Sequence, residues 1–232
     1  MTLEYESRDQ PRPLVGDDVA YVLPMGIFLA LTWVGSQWQS IYPITYAAKV
    51  VIVAAALIVL WRQYTKISWR YWWLGVIVGV IGIFQWVGMQ LWLQRNVEFF
   101  APSGDPFDPT KTFAGSDGML YAFIAVRIIG AVLVVPVMEE LFWRDYLWRQ
   151  ILAPNDFKLA EVGERSWSAY LIVSVAFAVV HGNWWLTSIA WALMIGALLM
   201  YTRSLGACIV AHAVTNLLLA VYVLKYRDWA FW

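Results

Sequence analysis

The stretch AFIAVRIIGAVLVVPVMEELFWRD, Ala122–Asp145, places two adjacent glutamates and an arginine directly after an almost purely apolar run. About 20 mostly apolar residues are enough for a helix to cross a bilayer. Glu139, Glu140 and Arg144 therefore lie where an apolar helix should still be buried. Charged groups at that depth cost roughly 2.5 to 3.5 kcal/mol each on insertion scales, so they tend to mark functional interiors. The stretch predicts a spanning helix that carries a functional site.

The composition of the whole chain is typical of a membrane protein. Of its 232 residues, 61% are hydrophobic and 14% are charged, whereas soluble domains are about half apolar and a quarter charged. The 16 tryptophans fit the same class, because indole rings favour the boundary between lipid and water. A formal net charge of zero does not suggest a nucleic-acid partner. The composition predicts the lipid bilayer as the surroundings of this chain.

Seven apolar segments are candidate spanning helices. The fifth is short for a full span, which leaves an eighth span or a broken helix open. The predicted fold is an all-α, polytopic membrane helix bundle of about seven to eight transmembrane helices. A polar N-terminal tail, residues 1–18, is predicted to precede a single transmembrane domain, residues 19–232. The seven segments are residues 19–35, 44–61, 72–93, 119–152, 168–181, 186–202 and 206–224.

The distribution of Lys and Arg between the loops predicts the orientation, because these residues gather on the cytoplasmic side. With seven spans, more of them fall on the side of the N-terminus, which is therefore predicted to be cytoplasmic. That side holds Arg8, Arg12, Arg62, Lys66, Arg70, Arg149, Lys158, Arg165 and Arg203. The other side holds Arg95, Lys111, Lys225 and Arg227.

Three glycines, Gly75, Gly79 and Gly82, line part of the third span. Small residues at such spacing let two helices pack closely. Packing against another helix of the same chain is the favoured interpretation, with a dimer face as the alternative.

The spacing of the charged residues in the fourth span separates the two glutamates. Residues four apart share a helix face, so Arg144 can neutralise Glu140. Glu139 is turned about 100° away and need not pair with that arginine. Pro136 lacks an N–H and leaves a helix carbonyl free about one turn before the glutamates.

Both histidines of the chain, His181 and His212, also fall in apolar segments. Phe177 precedes His181 by four residues, and Asn216 follows His212 by four. At 1.5 Å per residue, Glu139 and His181 each lie about 20 Å along antiparallel helices from one shared loop. His212 and Asn216 lie about 9 and 15 Å into the last helix from the same side. These groups are predicted to converge in a cavity on the cytoplasmic half.

Such a set of side chains suits hydrolysis of a peptide bond by activated water. A carboxylate and a histidine around one water form a general-base pair. A histidine and an asparagine on one helix face can donate hydrogen bonds to a developing oxyanion, each worth about 3 to 4 kcal/mol.

The three pairs resemble the motifs of the CPBP family, the CAAX protease and bacteriocin-processing group, which is also called the ABI family. They read EExxxR at Glu139–Arg144, FxxxH at Phe177–His181 and HxxxN at His212–Asn216. The family consists of glutamic-type intramembrane endopeptidases related to the CAAX prenyl endopeptidase. The resemblance implies a catalytic core at about residues 117–225, a membrane-associated protein or peptide as substrate, and no cofactor.

The resemblance also implies a role for each motif residue. Glu139 would activate water with the help of His181. His212 and Asn216 would form the oxyanion hole. The supporting residues of the site would be Glu140, Arg144 and Phe177.

The wider sequence looks like one bacterial branch of this family. The stretches VPVMEELFWRDYLWRQ and HAVTNLLL and the terminal WAFW are similar to members found with exosortase and PEP-CTERM-type sorting systems. This likeness implies the bacterial inner membrane and a partner from a sorting system.

Three other interpretations stay open at the level of sequence. The two histidines and a glutamate could bind zinc and leave an open position, although no HExxH is present. Cys208, His212 and Asn216 share a helix face and could form a thiol-based catalytic set. A non-enzymatic membrane scaffold, immunity protein or transporter could use the same polar cluster as a proton relay.

Arg127 is a further charge within the fourth span, 12 residues before Glu139. The favoured interpretation is an arginine that extends its charged end to the membrane surface. The alternative is that Arg127 faces the bundle and binds an acidic group of the substrate.

Overall fold

The computed structural model describes residues 16–102 and 104–232, and every regular element in this part of the chain is helical. Eight helices follow one another, joined by short loops and single turns of 3-10 helix. They are α1 Asp17–Gln37, α2 Tyr42–Val59, α3 Trp72–Asn96, α4 Pro109–Thr112, α5 Asp117–Leu152, α6 Trp167–Val179, α7 Trp185–Thr202 and α8 Leu205–Tyr226.

Six of these helices are long and apolar enough to cross a membrane. The predicted all-α polytopic bundle is confirmed, and α6 is the one predicted span that stays short, at 13 residues. The first helix begins earlier than expected, because Asp17 and Asp18 form its first turn. The rest of the predicted polar tail, residues 1–15, lies outside the described residues.

The loops collect at two ends of the bundle, which we call the basic face and the opposite face. Loops 60–71, 153–166 and 203–204 form the basic face, where the carbonyl of Ser68 accepts from the N–H of Gly206 at 3.0 Å. Lys158 and Asp17 form an ion pair of 2.6 Å on the same face. Residues 38–41, 97–116 and 227–232 form the opposite face, where Gln39 donates to the backbone of Asp105. The predicted basic residues Arg8 and Arg12 lie outside the described residues.

The glycines of α3 pack against α8 within the chain, as the sequence favoured. A Cβ at Gly79 would lie 2.7 Å from the carbonyl oxygen of Ala211, and one at Gly82 would lie 2.6 Å from Oγ1 of Thr215. That hydroxyl donates to the carbonyl of Gly79 at 3.1 Å. Close contact of the two backbones therefore fixes the height of His212, which α8 carries, relative to α3.

Helix α5 departs from regular α-helical geometry at two places. The π-helical segments Gly130–Val134 and Leu141–Leu147 flank the α-helical segment Val135–Glu140. π turns inside α-helices are rare and are frequent at functional sites. Both glutamates of the first motif lie at the end of the segment between the two π turns.

The first π turn explains which carbonyl is left free. The N–H of Val135 bonds to the carbonyl of Gly130, five residues back. The next bond in this register would join residue 136 to the carbonyl of Ala131. Pro136 has no N–H, so this carbonyl is available to another donor.

A buried polar cluster fixes the basic end of α5. Arg149 forms an ion pair of 2.6 Å with Asp145, and the hydroxyl of Tyr21 donates to the same carboxylate at 2.9 Å. Arg149 also donates to the carbonyl of Ala160 at 2.8 Å. Arg149, which the sequence analysis counted among the basic residues on the side of the N-terminus, is buried and surrounded by tertiary partners. The cluster ties α5 to α1 and to loop 153–166.

Candidate active site

The predicted catalytic residues line one cavity of about 130 Å³ inside the bundle. Helices α5 and α8 contribute Glu139, His212 and Asn216, and the α6–α7 turn contributes His181. The other lining residues are Trp86, Val135, Phe177, Trp191, Thr215 and Leu219. One water-accessible space is therefore in contact with a carboxylate, two imidazoles and a carboxamide.

Glu139 faces this cavity with one carboxylate oxygen unpaired. Its side chain is buried, with 6% of the residue exposed. Among the described residues, Oε2 of Glu139 has no hydrogen-bond partner. A buried acceptor that borders a cavity and lacks a protein partner is available to a water or a substrate N–H.

His181, predicted as the last residue of its helix, lies beyond the end of that helix in the structure. Helix α6 ends at Val179, and His181 directly precedes the 3-10 turn that leads into α7. Its Nδ1 lies 2.7 Å from the carbonyl oxygen of Phe177. A carbonyl only accepts, so Nδ1 carries the hydrogen, and Nε2 of the neutral ring is an acceptor.

Phe177 supports His181 through its ring as well as its carbonyl. The two rings stack with centroids 4.3 Å apart. The guanidinium of Arg144 lies 4.8 Å from the centroid of the same phenyl ring. The four-residue spacing of the second motif thus places a backbone acceptor and an aromatic face against one imidazole.

Glu140 points away from the cavity and is held by two donors. It is fully buried, and its Oε1 lies 2.9 Å from Nδ1 of His212 and 3.4 Å from Nη1 of Arg144. The ion pair that the spacing predicted between Glu140 and Arg144 is present. The contact with His212 joins α5 to α8 and could not be read from spacing within one helix.

This contact also defines what His212 can do. A carboxylate accepts, so Nδ1 of His212 donates to Glu140. Nε2 can then donate to an oxyanion only in the doubly protonated ring.

Asn216 uses the carbonyl that Pro136 leaves free. Its Nδ2 donates to the carbonyl oxygen of Ala131 at 2.7 Å. A carboxamide carries two N–H groups on this nitrogen, so one remains for a ligand in the cavity. The proline and the π turn of α5 therefore orient a side chain of α8.

Sequence reasoning missed several residues that shape the site. Trp86 and Trp191 line the cavity, and the ring of Trp191 meets His212 edge to face at 4.7 Å. Both come from helices without a polar motif, so no local signal marks them. Thr215 could have been found, because it shares the face of α8 that carries His212.

Lys49 is a buried charge that the sequence did show. It is the one charged residue of the predicted second span, and only 6% of it is exposed. Its ammonium donates to Oγ1 of Thr32 at 3.0 Å and lies 4.4 and 4.5 Å from the ring centroids of Phe28 and Tyr46. These contacts tie α1 to α2.

Arg127 is not among the residues that line the active-site cavity. It is buried, and its guanidinium donates to the hydroxyl of Tyr42. The ring centroids of Tyr46 and Trp232 lie 4.7 and 5.0 Å from it. Aromatic rings therefore enclose the charge near the opposite face, and the interpretation of an arginine that extends to the membrane surface stays a prediction. Arg127 takes part in none of the ion pairs that the described residues form.

The structure describes the surroundings of the residues that the thiol and zinc alternatives require. Cys208 is fully buried and its thiol points to the carbonyl of Ile195 at 3.8 Å, away from the residues that line the cavity. Among the described residues, no three side chains of the His, Cys, Asp and Glu types are grouped as ligands of one metal ion.

A bundle of apolar helices with one carboxylate and two imidazoles around a small internal cavity defines a polytopic membrane protein with a polar internal site. Residues 121–218 match the family model described as Rce1-like, type II CAAX prenyl endopeptidase Rce1-like. The chain is therefore similar over this segment to the type II CAAX prenyl endopeptidases, and all three motifs lie inside the matched segment. The exosortase-associated branch stays a prediction. No curated protein and no solved structure matches the chain.

Proposed function

We propose that the protein is a glutamic-type intramembrane endopeptidase in which Glu139 is the general base. One observation carries this assignment: Glu139 lines the cavity and its Oε2 has no partner among the described residues, whereas Glu140 is not part of the lining and its Oε1 accepts from Arg144 and His212. The two adjacent glutamates therefore have different roles. The match to the CAAX prenyl endopeptidase model supports the peptidase activity, and the geometry supports the division of roles.

Glu139 and His181 together bind and activate the attacking water. The carboxylate of Glu139 and Nε2 of His181 both accept, so one water can donate a hydrogen bond to each. The water oxygen forms a bond to the carbonyl carbon, its proton moves to Glu139, and the carbonyl electron pair moves to oxygen. When the C–N bond breaks, the proton passes from Glu139 to the leaving nitrogen. General-base assistance of this kind is worth about 10² to 10⁴ in rate.

His212 and Asn216 stabilise the oxyanion from the α8 side. The doubly protonated ring of His212 donates from Nε2 while Glu140 accepts from Nδ1. The second N–H of Asn216 is directed by the bond that its first makes to Ala131. Removal of one such donor costs about 10² to 10³ in rate.

The substrate is a membrane-associated protein or peptide, because the reacting groups lie inside a bundle of spanning helices. The excess of Lys and Arg on the basic face supports a cytoplasmic N-terminus. The bacterial inner membrane is the location that the sequence likeness to the exosortase-associated branch supports.

The class of activity is tested by mapping new protein termini in membranes that contain the intact protein, the Glu139→Gln variant or neither. We expect new termini only with the intact protein. A scaffold, immunity protein or transporter would produce none and would keep its biological effect in the variant. Equal cleavage by the variant would contradict the assignment of Glu139.

A further inference from the structure

A second cavity lies at the opposite face, next to the active site. It has a volume of about 300 Å³. Carboxamides and indoles form much of its wall, and we call it the amide cavity. Its lining includes Gln90, Gln94, Asn183, Trp184, Asp105 and Trp232.

Two elements run directly from the active site into the amide cavity. On α3, Trp86 lines the active-site cavity, whereas Gln90 and Gln94, one and two turns further, line the amide cavity. The turn before α7 does the same, since His181 belongs to the first cavity and Trp184 to the second. The indoles of Trp86 and Trp184 stack with centroids 6.1 Å apart. This indole pair borders both spaces, with Trp86 on the side of the active site and Trp184 on the side of the amide cavity.

The spacing of residues along α3 gives the distance between the two cavities, which can be expressed as a number of residues in an extended peptide. One and two helical turns are about 5 and 11 Å. An extended polypeptide rises about 3.3 Å per residue. A peptide with its scissile bond at Glu139 would therefore place residues about two to four positions away in the amide cavity.

Gln90 shows that the amide cavity is a built hydrogen-bonding site. Only 2% of Gln90 is exposed, and its Oε1 accepts from the hydroxyl of Thr187 at 2.7 Å. That bond fixes the carboxamide, and among the described residues its Nε2 makes no hydrogen bond. A buried N–H₂ group that is oriented and has no protein acceptor fits a carbonyl oxygen of a ligand.

The charges of the lining favour polypeptide over lipid. Among the residues that the structure describes, no Lys or Arg lines the amide cavity, and Asp105 supplies a carboxylate. A phosphate headgroup needs cationic or backbone N–H donors. A polypeptide backbone carries neutral donors and acceptors, which carboxamides match in both directions.

We propose that the amide cavity binds an extended polypeptide segment of the substrate, about two to four residues from the scissile bond. This inference rests on the proposed function. Gln90, Gln94 and Asn183 hydrogen bond to the backbone of that segment, and Asp105 favours basic over acidic side chains. The substrate therefore reaches the active site from the opposite face.

Binding is tested apart from catalysis. The chain has a single cysteine, so Cys208→Ala with Asn183→Cys gives one thiol in the amide cavity, in a Glu139→Gln background. A pool of capped, randomised decapeptides should slow maleimide labelling of that thiol by about threefold or more once it is in excess of its Kd. Cysteine at Asn96, the exposed last residue of α3, serves as the matched control and should label at an unchanged rate. Protection by phospholipid vesicles alone, or equal protection of both thiols, would overturn the proposal.

Kinetics supply the second test with the active enzyme. Gln94→Leu removes one hydrogen-bonding group and should raise KM for the cleaved decapeptides about fivefold to tenfold with kcat little changed. Asn96→Leu should leave both constants unchanged, and lysine should be preferred to glutamate in the segment. If Gln94→Leu cleaves the decapeptides with unaltered KM, substrate binding in the amide cavity is contradicted, while the proposed peptidase function is not. If the decapeptides protect the thiol of Asn183→Cys but the active enzyme does not cleave them, the proposed function is contradicted, while peptide binding in the amide cavity is not.

Discussion

At the residue scale, two adjacent glutamates differ because their neighbours differ. Spacing alone predicted that Arg144 pairs with Glu140. It could not predict that His212 reaches the same carboxylate from α8, because that contact depends on tertiary packing. Glu139 meets no such donor and remains available to water. The tautomer of His181, set by the carbonyl of Phe177, also required the structure.

Loss of Glu140 should show as loss of stability. Glu140→Gln leaves Arg144 and His212 without a buried carboxylate, and breaking a buried pair costs about 3 to 5 kcal/mol. We expect a clear fall in the thermal unfolding temperature in detergent. Glu161→Gln is the control, because the Glu161–Arg203 pair lies on the surface and such pairs are worth about 0 to 1 kcal/mol. Equal unfolding temperatures for the two variants would contradict the role of Glu140.

Arg127 should have no part in recognition of acidic substrates. Its guanidinium lies among aromatic rings and does not border the active-site cavity. Arg127→Leu should therefore change the cleavage of acidic and neutral peptides by the same factor, measured as kcat/KM. A selective loss for the acidic peptide would show that Arg127 binds substrate.

At the element scale, the irregular turns of α5 position the site. The sequence predicted a free carbonyl near Pro136. It could not predict the π-helical register that leaves the carbonyl of Ala131 free, or that Asn216 donates to this carbonyl. It also predicted His181 inside a helix. The turn between α6 and α7 holds that residue instead, since α6 is too short to cross a membrane. Helix periodicity shows which residues share a face but cannot show where a hairpin of two apolar helices turns.

Pro136→Ala should disturb Asn216 without removing any catalytic group. The new N–H can bond to the carbonyl of Ala131 and compete with Nδ2 of Asn216. We expect kcat to fall at least about tenfold, because an oxyanion donor loses its orientation. Pro24→Ala, a proline inside α1, is the matched control and should leave kcat unchanged. If both variants keep normal kcat, the proline does not orient Asn216.

At the scale of the whole molecule, apolar periodicity was sufficient to predict a helix bundle and the packing of glycines within it. The amide cavity and the contacts of Tyr21 and Ala160 with the Asp145–Arg149 pair were not predictable, because residues distant in sequence form them. Lys49 could have been predicted to be buried and specifically paired, because it is a charged residue within an apolar span, as the two glutamates are. The sequence therefore showed which polar groups are unusual, and tertiary packing decided which of them meet.

Metal removal separates the proposed chemistry from its zinc rival. If Glu139 and His181 activate water, dialysis of the purified protein against a strong chelator should leave kcat/KM unchanged. Cys208→Ala should likewise retain activity, because the thiol is buried away from the cavity. Activity that is lost on chelation and restored by added zinc would favour a metalloprotease with the same residues.

The central claim is that Glu139 is the base, and purified Glu139→Gln in liposomes tests it most directly. The amide keeps the shape of the side chain but cannot take a proton. The account predicts a fall in kcat of at least about 1000-fold, with an unfolding temperature equal to that of the intact protein. Turnover within about tenfold of normal, in a variant that folds normally, would contradict it.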